Sequence, residues 1–345
     1  MPYQCFQEAR KVLAADREEK LVQIAEQRRR IAKWQAAPAQ TQREEGSKKG
    51  RLVAMQKHLE DLKILADIND PVIRKRFEDG MGRLPPSFDL DPFYLQRLTF
   101  VRSGDMDRPI YRYLADRKWR SYDRKLLMQR IEQHHLVPDI LPHLNPTASV
   151  SIGFGRRNVQ PGQFVGSVIS KLPLHLNIQV FDKGLRLVTI AVVDPDVPDV
   201  ANDSFTSRCH YLAVNIPLSP TNRSVPLRSL NEEKHIVQSW LPPFAQKGAP
   251  YHRLAVIVLQ QNGESAMDVK DLRKWQTKRE GWRLKQLLTH HKELLPVGAG
   301  LFRTRWDEGT DGVMERAGLA GVNMEFLRKK GEKNVYKKKD GARYR

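Results

Sequence analysis

The sequence predicts an α+β protein: an antiparallel β-sheet core with a C-terminal capping helix, a long α-helical extension before it and a basic tail after it. Three observations carry this prediction. Residues 148–193 hold the strand-like runs ASVSIGF, QFVGSVI, LHLNIQVF and LRLVTIAVV, several of them separated by turn signals such as QPG and DKG. No helical stretch intervenes between these runs, and parallel strands need such a crossover, so antiparallel pairing is expected. Residues 5–36 have no interior Gly or Pro and are rich in Ala, Glu, Arg, Gln and Lys, which is helix composition.

A chain of 345 residues exceeds the needs of one domain of the usual size. The expected division is a helical arm at 1–37, a linker at 38–50 (PAQTQREEGSKKG) and a helical extension at 51–145. A β domain follows at 146–320 and a basic tail at 321–345. In the arm, Phe6, Leu13, Leu21, Ile24, Ile31 and Trp34 make a thin apolar stripe, suited to a solvated helix laid against a partner. A coiled coil is the alternative, but the apolar spacing is too irregular for sustained heptads. Further helices are expected near 51–68 and 72–79. The three prolines of GRLPPSFDLDP then forbid one.

Arg108 to Arg130 holds eight basic residues against two acids, with Tyr111, Tyr113, Trp119 and Tyr122 interleaved. One reading is an RNA surface, cations meeting phosphates while flat groups stack on bases. The other is an amphipathic helix with a solvated basic face and its aromatics in the core. The tail has nine Lys and Arg against three acids and little apolar content after Leu327, so alone it cannot form a core.

The formal net charge of +19 points to a polyanion, nucleic acid before an anionic membrane surface. Residues 146–320 contribute 22 bases and 16 acids, so most of the excess lies outside the β domain. Cys5 and Cys209 are the only cysteines, which leaves no disulfide framework and no CxxC metal pair. Adjacent histidines such as His134–His135 and His290–His291 diverge on a helix, so no metal site is expected. No apolar run approaches the roughly 18 residues of a membrane span. Acids among the bases of the first 26 residues argue against a presequence as the chain stands, and fit a mature chain equally.

Three apolar blocks each carry polar groups at one end. Asp194 and Asp196 follow Ile190 to Val193, His210 precedes Tyr211 to Val214, and His252 and Arg253 precede Leu254 to Leu259. These ends would converge on one small polar pocket; alternatively DPDVP is a turn and the histidines are structural. No nucleophile elbow, metal-ligand spacing or Gly-rich phosphate loop is present, so no catalytic residue is expected.

The order DPD-x-P, HYLAVN, KG-x-x-x-HR resembles the phosphatidylethanolamine-binding protein family. REGWRLKQLL and VGAGLFRTRWDE extend the resemblance over roughly Ala148 to Leu319. The resemblance implies a pocket for a phosphate-like head group, with Asp194, His210, His252 and Arg253 at its positions and Asp196 beside them. The chain departs from the family at Cys209, where a second histidine or similar residue is usual, and at Leu254, where a tyrosine is usual. Pro242 to Gln246 replace a Gly-rich loop, adding bulk where backbone must approach an anion, so the anion pocket is expected to be vestigial.

The whole layout resembles one branch of that family, the mitochondrial large-ribosomal-subunit proteins with such a core, in their fungal form. This implies a matrix, ribosome-bound structural constituent without catalysis, cofactor or metal. Its partners would be mitochondrial large-subunit rRNA and neighbouring mitoribosomal proteins. The phosphate contacts would come from Arg112, Arg117, Lys118, Arg120 and Arg124, and in the tail from Lys329, Lys330, Lys337, Lys338 and Lys339. A phosphate or phospholipid head-group module is the alternative; an enzyme or enzyme inhibitor is the least supported class.

Overall fold

The computed structural model describes residues 2–38, 41–78, 105–262, 266–275, 278–319 and 321–327. Helix α1 (Pro2–Ala36) turns back into α2 (Gln42–Asp67) to form an antiparallel hairpin. Ile24, Leu62 and Ala66 are buried along the seam. Gln27 Nε2 donates to the Met55 carbonyl at 3.2 Å, and the Arg51 guanidinium lies 4.6 Å from the Trp34 ring centroid. Arg17 pairs with Asp67 and Asp70, each at 3.2 Å. The arm is therefore one half of a hairpin over much of its length.

The linker expected at 38–50 is mostly helix, because α2 begins at Gln42 instead of near Arg51. The helix runs through Gly46 and Gly50, where a Cβ would meet nothing within 4 Å. Each costs the helix only about 1 kcal/mol relative to alanine, and burial along the seam offsets it.

Helix α3 (Pro71–Glu78) follows, and the proline-containing connector after it lies outside the described residues. Helix α4 (Pro109–Lys118), a π turn at Trp119–Asp123 and α5 (Arg124–Gln133) make up the basic, aromatic segment. The aromatics of that segment divide between core and surface. Tyr111 and Trp119 are buried, Trp119 with its ring 5.3 Å from that of Phe181, while Tyr113 and Tyr122 are exposed.

The core holds two sheets. The smaller has the order β2-β1-β4-β7, from Arg157–Val159, Ser149–Phe154, His175–Gln179 and Ser224–Pro226. The larger has the order β3-β10-β9-β5-β6-β8. Its strands are Gln163–Phe164, Leu294–Thr304, His252–Gln261, Arg186–Asp199, Ser204–Leu218 and Ile236–Gln238. Pairing is antiparallel except where two-residue β3 runs parallel to β10. QFVGSVI thus supplies only β3, then turns into a short helix, α6 (Ser167–Ser170), whose Ser167 N–H donates to Asp307 at 2.8 Å.

Strands β5 and β9 are buried on both faces, which is why they read as continuous apolar runs. Val188, Ile190, Val192, Leu254, Val256 and Val258 fill the space between the sheets with Ile152, Leu176 and Phe302. Ala191, Val193, Ala255, Ile257 and Leu259 face the helical layer, meeting Leu127, Ile131, Leu284 and Leu287. The period of two in each strand thus builds a three-layer domain. The sheets approach closely at VGAG: a Cβ on Gly298 would lie 2.7 Å from Val150 Cγ2, and one on Gly300 2.8 Å from Ile152 Cδ1.

The expected C-terminal capping helix is split into α7 (Val269–Trp275) and α8 (Leu284–His290). Gly281 at φ +71° turns the chain between them, and Glu280 is drawn to β6 by an ion pair with Arg208 at 2.7 Å. A short α9 (Thr310–Arg316) follows β10.

Candidate functional site

Antiparallel pairing brings the three polar strand ends together. Val193 of β5 lies opposite Cys209 of β6 and Ala255 of β9, which sets Asp194, His210 and His252 side by side. DPDVP is strand, not turn: β5 continues through it, with a register shift between Asp194 and Val197 that takes up the local irregularity.

Asp194 is fully buried. Its Oδ2 accepts from His252 Nδ1 at 2.7 Å and lies 3.7 Å from His210 Nε2, while Oδ1 accepts from the Asp196 N–H at 2.9 Å. Burial alone would push the Asp194 carboxyl up, but its interactions with His252 and His210 outweigh that and hold it well below the usual carboxylate range. His210 Nδ1 bonds the Leu241 carbonyl at 3.0 Å, so that nitrogen carries the proton. The Nε2 atoms of both histidines are buried without a hydrogen-bond partner.

The space beside His210 is occupied. Phe244, from the loop that replaces the Gly-rich one, is buried with its ring 6.4 Å from the His210 ring. Arg208 covers its other side at 4.5 Å and is held there by Glu280. Leu254 points between the sheets. Burial pushes the Cys209 thiol up to about 12, so it behaves as a small apolar side chain.

Arg253 lies apart from this cluster and acts as a clasp. Its Nε bonds both Asp196 carboxylate oxygens at 2.8 and 3.1 Å, and Nη2 bonds Asp196 Oδ1 at 2.6 Å. Nη1 reaches the His134 carbonyl at 2.5 Å and Asp139 Oδ2 at 2.9 Å. The hydrogen bonds that Arg253 donates to Asp196, opposed by partial burial and reinforced by Asp139, raise the guanidinium pKa further. Of the five expected pocket residues, Asp194, His210 and His252 come together, whereas Asp196 and Arg253 join the core to the segment after α5. The bulk expected of Pro242 to Gln246 is supplied beside His210 by Phe244, whereas the sequence carried no signal of a role for Asp139.

The expected phosphate contacts divide similarly. Arg112 is buried, not at the surface: it donates to the Met106 and Asp107 carbonyls at 3.0 and 2.7 Å and lies 3.5 Å from Glu60. Arg124 is tied to Pro146 O and Asn145 Oδ1. Arg117, Lys118 and Arg120 are exposed, Arg120 pairing with Asp116 at 2.7 Å. Lys329, Lys330, Lys337, Lys338 and Lys339 lie outside the described residues. No helix among the described residues is long and apolar enough to cross a membrane.

Residues 148–297 match the phosphatidylethanolamine-binding protein family, and the core of this chain has a fold like that of its members. Over 253 residues the chain is 26% identical to large ribosomal subunit protein mL38 of Schizosaccharomyces pombe (strain 972), covering 72% of each. Among solved structures, it resembles a carboxypeptidase Y inhibitor complexed with its cognate proteinase. That match has a TM-score of 0.41 and 13% identity, covering 53% of this chain and 96% of the other. A phosphatidylethanolamine-binding protein from Plasmodium vivax gives a TM-score of 0.40 and 11% identity, covering 52% and 97%.

Proposed function

We propose that this protein is a structural constituent of the mitochondrial large ribosomal subunit, held in the matrix by its place in that particle. Its core serves as a scaffold, and its basic extensions contact rRNA and neighbouring proteins. The observation that carries this is the length of the similarity to mL38. At 253 residues it is longer than the 148–297 domain, so the relative shares part of the extensions as well as the core. The charge distribution agrees: the surplus of bases sits on those extensions, where Arg117, Lys118, Arg120 and the tail lysines would neutralise phosphates. Arg112 and Arg124, engaged internally, are left out of that surface.

Sedimentation of a mitochondrial lysate, with and without RNase, tests the reading. The protein is expected to migrate with the large subunit and to leave that position on RNase treatment. A slowly sedimenting protein indifferent to RNase would overturn it.

One observation favours a second reading, in which the domain still holds a phosphate-like head group: the two unpartnered Nε2 atoms of His210 and His252. Phe244 and the Arg208–Glu280 pair stand against it, because they fill the space such a group would need. Phosphorus NMR of natively purified protein distinguishes the two: the scaffold reading expects no bound-phosphate signal, and a stoichiometric one would revive the ligand pocket. Neither reading assigns the protein a catalytic role.

A further inference from the structure

Helix α1 carries one continuous seam, only half of which is covered by α2. Arg17, Lys20, Ile24, Gln27, Ile31 and Trp34 follow one another at alternating steps of four and three residues, the spacing of an antiparallel coiled-coil contact. Ile24, Gln27 and Ile31 are buried, and Arg17, Gln27 and Trp34 reach named partners on α2 or in the turn after it. The repeat is invisible to an apolar count because Arg17, Lys20 and Gln27 occupy seam positions. Traced toward the N-terminus, the same steps reach Leu13, Arg10, Phe6 and Tyr3. Helix α2 ends at Asp67, opposite Arg17, which also pairs with Asp70 just before α3. Tyr3 is 72% exposed, Phe6 70% and Leu13 40%, on a face that is buried at Ile24, about three turns beyond Leu13.

We infer that this overhang is the docking site for an amphipathic helix of a neighbouring protein, which extends the seam beyond the end of α2. The inference deepens the ribosomal reading and rests on it. Continuity with the α1–α2 seam sets the geometry: the partner contributes about three helical turns, since Tyr3 to Leu13 spans roughly 15 Å at 1.5 Å per residue. Its seam positions are apolar, with a carboxylate facing Arg10. Charge argues for a protein over RNA. Residues 3–16 hold two bases, Arg10 and Lys11, and two acids, Glu8 and Asp16, making a neutral stretch in a chain of net charge +19. A surface built for phosphate would carry a surplus of bases.

The test places a photoreactive benzoylphenylalanine at Phe6, at Leu13 or, on the opposite face, at Ala15 of the full-length protein, followed by irradiation of intact mitochondria. Adducts are expected with one discrete polypeptide, with a yield at positions 6 and 13 about ten-fold above that at 15, since only the first two face the seam. RNA adducts, adducts with the chain itself or a second copy, no adducts, or equal yields at all three positions overturn the inference. Gradient position is read on the same samples. A protein that enters the large particle yet yields one of those outcomes loses only the docking site. A protein absent from the particle loses the ribosomal reading.

Discussion

Replacing Asp194 by alanine is expected to destabilise the domain by about 3–5 kcal/mol, the range for removing one partner of a buried charged pair. The carboxylate is fully buried between two imidazoles, and its loss leaves the His252 Nδ1–H and the Asp196 N–H without acceptors. Asparagine, which keeps an acceptor oxygen, separates shape from charge and gives the pH dependence. The Asp194 carboxyl is depressed in the folded state, whereas an unfolded aspartate titrates near about 3.9. The unfolded chain therefore takes up the proton first, so the stabilisation is fully present above that value and fades as pH falls toward the folded one. Urea midpoints of wild type and Asp194→Asn should differ most at neutral pH and converge below about pH 4. A difference constant down to pH 3 would remove charge as its cause.

The meeting of Asp194, His210 and His252 was legible in the sequence because it depends on strand ends. Three apolar runs with polar heads pair in one sheet, and adjacency follows from the pairing. The β5–β9 core was legible for the same reason, since strands buried on both faces announce themselves as unbroken Val, Ile and Leu. What misled were local signals that tertiary contacts overrode. Asp and Pro in DPDVP favour a turn, yet pairing with β6 and the hold of Arg253 on Asp196 keep it in the strand. Gly and Ser in EEGSKKG suggest a linker, yet the seam with α1 continues the helix through them. Arg112 looked like a surface cation because neither periodicity nor charge reveals the carbonyls of Met106 and Asp107 that fold around it. The Asp139 contact is 114 residues away from Arg253 in the chain, and no local pattern encodes such a separation.

That long-range contact gives the second large effect. Arg253→Met is expected to destabilise the protein by about 3–5 kcal/mol, because it removes the common partner of two carboxylates, one of them largely buried. Arg253→Lys keeps the charge but offers no planar fork, so it should recover only part of the loss. Position matters as much as magnitude. Arg253 sits at the start of β9 but binds His134 O and Asp139, so the variant should release the segment between α5 and β1 as well as weaken the sheet. Hydrogen exchange is the measurement: amides of residues 134–147 should lose protection before those of β5 and β9. A double-mutant cycle with Asp139→Asn then isolates the link, for which coupling of about 1 kcal/mol or more is expected between residues in direct contact. If Arg253 served a bound anion instead, Arg253→Lys would leave stability and exchange near wild type while lowering anion affinity. Unchanged protection at 134–147 in Arg253→Met would show that the arginine does not hold the extension to the core.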